Sequence, residues 1–237
     1  MFCQRKLSTP HRQLDASGNG SLTANDIDNG SSDACGIASL SASPNSFTCA
    51  DVGTNNVTLT VIDNNGKTNT CTTTVTVEDN VLPTANCQPH TVQLDASGNG
   101  SLTASNINSG STDACGIASL SASPNSFTCA DVGTNNVTLT VTDNNGKNNT
   151  CTATVTVEDN VLPTAKCQHT VQLDASGGND SLTASGVDNG STDACGIASL
   201  SASPNTFTCA DVGNNVVILT VTDMNGNENT THCDCNR

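Results

Sequence analysis

The sequence predicts an all-β chain of three tandem, small β-sandwiches in an elongated array. Three observations predict it. Self-similarity at a fixed period dominates the 237 residues. Asp33–Val61 recurs unchanged at Asp113–Val141 and, slightly varied, at Asp193–Val221, which is the signature of a repeat architecture. Within a unit the apolar period is two: Val137, Leu139 and Val141 alternate with Thr138, Thr140 and Thr142, as a strand with one buried face requires. The 13 cysteines keep the same long period, with Cys35, Cys115 and Cys195 standing 80 residues apart, as do Cys49, Cys129 and Cys209. Cys71 and Cys151, and Cys87 and Cys167, repeat the step.

In the second unit, taken in chain order, residues 91–96 and 101–105 flank Ser97-Gly98-Asn99-Gly100 and read as a hairpin of strands A and B around Val92 and Leu102. Strand C runs from Ile117 to Ser123, where Pro124 and Asn125 end it. A short D/E region surrounds Phe127. Strand F spans Val137–Asp143, the Asp143-Asn144-Asn145-Gly146 turn follows, and strand G covers Cys151–Val157 with its own alternation of apolar residues and threonine. No helical periodicity is present. About seven short strands in 80 residues make a small sandwich. The segment VEDNVLPTA, at Val77–Ala85 and Val157–Ala165, marks the joints, because proline after an acidic cluster ends a ladder and stiffens a linker. The units are 1–80, with a divergent start, 81–160, and 161–237, with an incomplete last strand.

Composition narrows the function. Lys and Arg total 7 against 22 Asp and Glu, a formal charge of −15, with no Trp or Tyr and four Phe. Such a polyanion lacks the phosphate contacts and stacking platforms of a nucleic-acid binder, and no apolar run approaches a membrane span. Four cysteines per unit in a core this poor in apolar bulk read as two disulfides each, hence an oxidising, extracellular setting. Cys235 is left over. No nucleophile elbow, His-based triad, phosphate loop or zinc motif occurs, and His11, His90, His169 and His232 do not recur at one place in all units, so no enzyme is expected.

The motifs VEDNVLPTA, TVQLDASGNGSLTA, STDACGIASLSAS, FTCADVGTNNVTLTVTDNNG and CTATVTVED resemble the HYR and immunoglobulin-like tandem repeats of secreted, cell-surface proteins of Bacteroidetes-type bacteria. The resemblance covers nearly the whole chain. It implies Ig-like sandwiches used as spacers, stalks or adhesive arrays, extracellular and without catalysis. Fold transfers across such a resemblance better than role. The leading expectation is a structural protein of a surface fibre, filament or stalk that self-associates head to tail. The alternative is an adhesin or carbohydrate-binding spacer module with glycan partners.

Placed on that fold, four cysteines per unit still allow three connectivities. Strands A and G run side by side in one direction, so their starts can meet. This predicts Cys3–Cys71, Cys87–Cys151 and Cys167–Cys233, and leaves Cys35–Cys49, Cys115–Cys129 and Cys195–Cys209 closing short loops. The linker, BC loop and FG loop share one pole. Glu78, Asp79, Asn80, Asp113, Asp143 and Asn145 form one expected oxygen-rich set, and Glu158, Asp159, Asn160, Asp193, Asp223 and Asn225 the next. Calcium takes such ligands at flexible geometry. The plainer alternative is that Asp and Asn are good turn residues and the charge keeps the chain soluble. Asp95 to Gly100 resembles the opening of an EF-hand loop, but Asn106 stands where the bidentate Glu belongs, so an ordinary turn is expected. Sequons make Asn56, Asn136, Asn148 and Asn229 glycosylation candidates. Both ends leave the repeat. A one-base shift in a possible coding sequence would restore Val-Thr-Val in place of Cys233-Asp234-Cys235. Read as it stands, the third unit is expected to lack most of strand G and to present an open edge for a neighbour's strand.

Overall fold

The computed structural model describes residues 2–6, 9–168, 171–172 and 180–236. They form two compact units, Met1–Gln88 with Ile107–Ala122 and Thr138–Thr152, and Pro89–Asn106 with Ser123–Val137 and Ala153–Arg237. The chain is nearly all β, in sandwich-like sheets.

The first repeat supplies β1 (His11–Gln13), β2 (Asn19–Ser21), β3 (Ile37–Ser43), β4 (Ser46–Thr48), β5 (Gly53–Asp63) and β6 (Thr68–Glu78). One sheet has the order β1-β6-β5-β3 and the other pairs β2 with β4. β5 and β6 form a long antiparallel hairpin, Gly53 opposite Val77 through Ile62 opposite Thr68. β1 joins β6 in parallel, His11 opposite Thr76. Strand parity sends Val57, Leu59, Val61, Val75 and Val77 inward, where they pack with Leu14, Leu22, Ile27 and Phe47. Thr58, Thr60 and Thr76 between them turn to the opposite face, where they are half-buried and at home on a pleated surface.

The next strands are β7 (His90–Gln93), β8 (Asn99–Ser101), β9 (Ile117–Ser123), β10 (Ser126–Thr128), β11 (Gly133–Asp143) and β12 (Asn148–Glu158), with the sheet order β7-β12-β11-β9 and a β8–β10 pair. The second unit ends with β13 (Val171–Gln172), β14 (Asp180–Ser181), β15 (Ile197–Ser203), β16 (Thr206–Phe207), β17 (Asn214–Asp223) and β18 (Glu228–Asn236), ordered β13-β18-β17-β15 with β14 beside β16. Its core gathers Val187, Phe207, Val217, Leu219 and Val221 with Cys233 and Cys235.

Three expectations change. The residues either side of Ser97–Gly100 are not a hairpin: β7 pairs with β12, and β8 with β10. The turn is a crossing from one sheet to the other, closed by the Asp95 carboxylate, which accepts from the Ser97 and Asn99 amides at 2.8 and 3.0 Å. One-turn helices, α1 (Ala24–Ile27), α2 (Ala104–Ile107) and α3 (Ala184–Val187), stand where no helical period is legible. Four residues are too few to show a period, and each helix exists to bury Ile27, Ile107 or Val187. The third repeat's last strand is present: β18 pairs with β17 from Glu228 to Asn236. Cys233 and Cys235 fill the inward positions as small apolar side chains, so the edge predicted to be open is covered.

Candidate functional site

The recurring feature is a pair of turns. One is Asp113-Ala114-Cys115-Gly116. The Asp113 carboxylate accepts from the Cys115 amide at 2.8 Å, and the Asn144 side-chain amide donates to the Cys115 carbonyl at 2.8 Å. Gly116 has φ +94°, a conformation that favours glycine. The other is the 3-10 turn Cys49–Asp51. The Asp51 carboxylate accepts from the Thr48 amide and hydroxyl at 2.8 and 3.0 Å, closing a capping box. The two turns are joined by a disulfide between Cys49 and Cys115, Cα–Cα 5.1 Å and within the usual range for such a bond. In the second unit Cys129 is bonded in the same way to Cys195, Cα–Cα 5.1 Å. Gly18 and Gly98 lie against these bridges. A Cβ on either would stand 2.6 Å from the sulfur of Cys49 or Cys129.

These bonds overturn part of the expected framework. Cys35–Cys49, Cys115–Cys129 and Cys195–Cys209 do not form. Cys49 and Cys129 reach the following repeat instead, and Cys35 is an exposed thiol. The side chain of Cys209 lies outside the described residues. Pairing neighbours within a repeat assumed that each sandwich closes its own bridges, and the sequence does not say which turns face each other across a joint. Cys3 is bonded to Cys71 and Cys87 to Cys151. Cys167–Cys233 is absent. Cys151 corresponds to Thr231, one inward position before Cys233, and the Cys167 thiol donates to the His232 carbonyl at 3.2 Å. Burial, then the hydrogen bond with Cys167, pushes the Cys233 thiol up to about 12, and burial raises Cys235 too.

Parity divides the expected ligands. Asp79 and Asp159 turn inward, 5% and 7% exposed. Glu78, Asn80, Glu158 and Asn160 turn outward. Glu78 accepts from Gln13 at 2.9 Å and Asn80 donates to Gln13. Glu158 and Asn160 hold Gln93 likewise, both at 2.7 Å. His11 beside Glu78 keeps its carboxyl below the usual range. A carboxylate oxygen of Asp79, one of Asp113 and the Cys115 sulfur lie within 4.8 Å of one another, as do those of Asp159, Asp193 and Cys195. Both sulfurs are spent in disulfides, so only oxygens could serve as ligands. Asp143 is buried. One of its oxygens accepts from the Asn145 and Lys147 amides at 2.7 and 2.9 Å, and the other has no partner. Asn145 Nδ2 and Asp159 Oδ2 are likewise without partners. Asp223 is satisfied: it accepts from the Asn225 and Asn227 amides and from the Asn227 side chain, each at 2.8 Å. Asn227 also donates to the Asp159 carbonyl at 2.9 Å. A groove of about 310 Å³ lined by Ala16, Leu82, Thr112 and Asp113 adjoins the first cluster, and one of about 300 Å³ lined by Ala96, Leu162, Thr192 and Asp193 the second.

Of the sequon residues, Asn56, Asn136 and Asn148 are exposed. Asn229 is half-buried, and its side-chain amide donates to the Pro163 carbonyl at 2.8 Å.

No protein-family model matches the chain, and no curated protein matches it. Some solved structures match the chain at low identity and low TM-score. Sidekick-1 immunoglobulin domains 1–4 are 9% identical, with 99% of this chain and 75% of that chain covered and a TM-score of 0.34. Mouse Cadherin-23 EC22-24 is 13% identical, with 97% and 96% covered and a TM-score of 0.33. The fibronectin(III)-like modules of Clostridium thermocellum CbhA are 14% identical, with 67% and 95% covered and a TM-score of 0.25. Among the described residues no helix is long and apolar enough to cross a membrane.

Proposed function

We propose that this chain is a non-enzymatic, extracellular structural protein, a segment of a surface fibre, filament or stalk that self-associates head to tail. Its repeats, 1–80, 81–160 and 161–237, serve as three Ig-like domains of the HYR kind. The observation that carries this reading is that Cys49–Cys115 and Cys129–Cys195 each bond one repeat to the next. A binding module needs only to fold, whereas a protein under tension gains from covalent joints between its units. The four disulfides among the described residues support an oxidising, extracellular setting.

Calcium fits the same reading as a stiffener of the joints. Asp79, Asp113, Asp143 and Asn145 would hold it in the first unit, and Asp159, Asp193, Asp223 and Asn225 in the second. The fit rests on unpartnered oxygens in the buried Asp143 and Asp159, since an unpaired buried carboxylate is costly and a hard cation offsets that cost. Glu78, Asn80, Glu158 and Asn160 would act from outside, by holding Gln13 and Gln93. Exposed Asn56, Asn136 and Asn148 suit glycan attachment better than Asn229.

Negative-stain imaging of purified protein with calcium and with EDTA tests the reading. Filaments or end-to-end strings are expected, with a melting temperature that calcium raises. A monodisperse monomer that binds a glycan array would favour the adhesin instead. A melting temperature indifferent to calcium would remove the ion from the account.

A further inference from the structure

We propose that copies of this chain pair side by side through β3, β9 and β15, each strand lying antiparallel to one of the same strands in a second copy. The pairing centres on Ser41, Ser121 or Ser201 and joins two four-stranded sheets into one continuous sheet. It is lateral and does not depend on head-to-tail association.

Each of these strands is the last in its sheet, bonded to β5, β11 or β17 on one side only. Among the described residues, the backbone bonds outside the ladders stop at the strand ends. The Asn64 amide donates to the Gly36 carbonyl just before β3, and the Leu22 amide donates to the Asn45 carbonyl just after it. The outer row of amides and carbonyls is thus open to a further strand.

Proteins usually blunt such an edge with lysine, an inward charge, proline or a very short strand. None of these is present within β3, β9 or β15. All three read Ile-Ala-Ser-Leu-Ser-Ala-Ser, and proline comes only after the last serine. Residues 35–50, 115–130 and 195–210 contain no charged residue, in a chain of formal charge −15. A bulge interrupts β3 between Ile37 and Ser39, but Ser39–Ser43 runs in regular register, opposite Ile62 to Thr58. β15 repeats this, with Ser199–Ser203 opposite Thr222 to Ile218.

The occupant follows from the strand's own symmetry. Two copies meet across a two-fold when each residue suits its mate on the other strand. With Ser41 at the centre, Ser39 stands opposite the neighbour's Ser43, Leu40 opposite Ala42, and Ser41 opposite Ser41. Leu40 and Ala42 pack toward the core, whereas Ser39, Ser41 and Ser43 are exposed. Serine therefore meets serine on the outer face, and small or branched apolar side chains meet on the other, pairings that favour a ladder. Elsewhere two such acidic chains repel each other. These uncharged windows are where they approach at least cost, and main-chain bonds then supply the attraction.

The test is sedimentation velocity of the full chain, with negative-stain imaging, on wild type and two triple variants. One is Ser41→Lys with Ser121→Lys and Ser201→Lys, and the other places Glu at the same three positions. All three serines are exposed, so both variants should keep the wild-type circular dichroism and urea midpoint. Wild type should sediment as paired chains. Each variant sets like charges opposite one another at the centre and should fall to half that mass. Mixed one to one, the variants should regain it, because Lys then stands opposite Glu. A wild type that sediments as a single chain overturns the proposal, as does a lysine variant that keeps the wild-type mass or a mixture that does not recover. Head-to-tail association reads out separately, as single-width strings that survive both sets of substitutions. Amide hydrogen exchange in wild type checks the same edge without substitution. Exchange in β9 should slow as protein concentration rises, and exchange indifferent to concentration overturns the pairing.

Discussion

Cys151 in β12 and Thr231 in β18 occupy one place in the 80-residue period, and the two strands show what a single sulfur decides. In β12, Cys151 is bonded to Cys87, and Ala153 and Val155 behind it are core. In β18 the inward places of Ala153 and Val155 belong to Cys233 and Cys235, each at most 1% exposed. The strand still forms along its length. Packing asks only for a small apolar side chain there, and a buried thiol satisfies it. Bonding asks for a sulfur at one position, and a displacement of two residues forfeits it while leaving parity, burial and the ladder intact. Fold and staple are thus separable properties of the same strand.

The sharpest way to break this comparison is to remove the bond where it exists. Cys87→Ser with Cys151→Ser should cost about 2–5 kcal/mol, read as a fall in the urea midpoint, with β-structure by circular dichroism unchanged below it. The converse is Thr231→Cys. It should bond to Cys167 and raise the stability of that region by about 2–4 kcal/mol, and mass mapping should show a 167–231 cross-link. If it bonds to Cys233 instead, the equivalence of the two strands is wrong. A smaller effect separates a bridge from the turn that shelters it. Gly98→Ala places a Cβ against Cys129, whereas Gly110, at a similar φ of +75°, has open space around it. Both variants should lose about 1 kcal/mol to backbone strain, and only Gly98→Ala should raise the thiol count in a denatured-state titration.

The smallest effect concerns Asp26. Its carboxyl is lowered to about 2, first by the Thr23 hydroxyl, then by the Thr23 amide, with Arg12 also contributing. A depressed carboxylate contributes stability above its ordinary value, and that stability is lost as pH falls from about 4 toward 2. The side chain is 36% exposed, so solvent screening limits the effect to a few tenths of a kcal/mol. Asp26→Asn, copying Asn106 of the next repeat, should flatten that part of the acid-denaturation curve without changing the neutral midpoint appreciably.

The sheets were legible because alternation such as Val137, Leu139, Val141 is a local code, and the turns because Asp-Asn-Asn-Gly has few conformations open to it. The buried Asp79 beside outward Glu78 and Asn80 follows from the same parity, once the strand is known to run on into the linker. The bonds of Cys49 and Cys129 were not legible. With the starts of strands A and G paired, Cys35 is left with Cys49, fourteen residues on, and that elimination assumes both bridges close within one repeat. What decides the pairing is which turns meet across a joint, and no single repeat contains that information.

The bridges also set how far the protein can be drawn out. From Cys3 a covalent route crosses to Cys71, runs back to Cys49, crosses to Cys115, continues to Cys129 and crosses to Cys195. It bypasses most of the backbone between its ends. If every sheet were pulled apart, that stretch would stop extending at a small fraction of its contour length, because the overlapping loops share the tension through sulfur. Strands that separate under a pull would remain within reach of their partners and could re-pair once it is released.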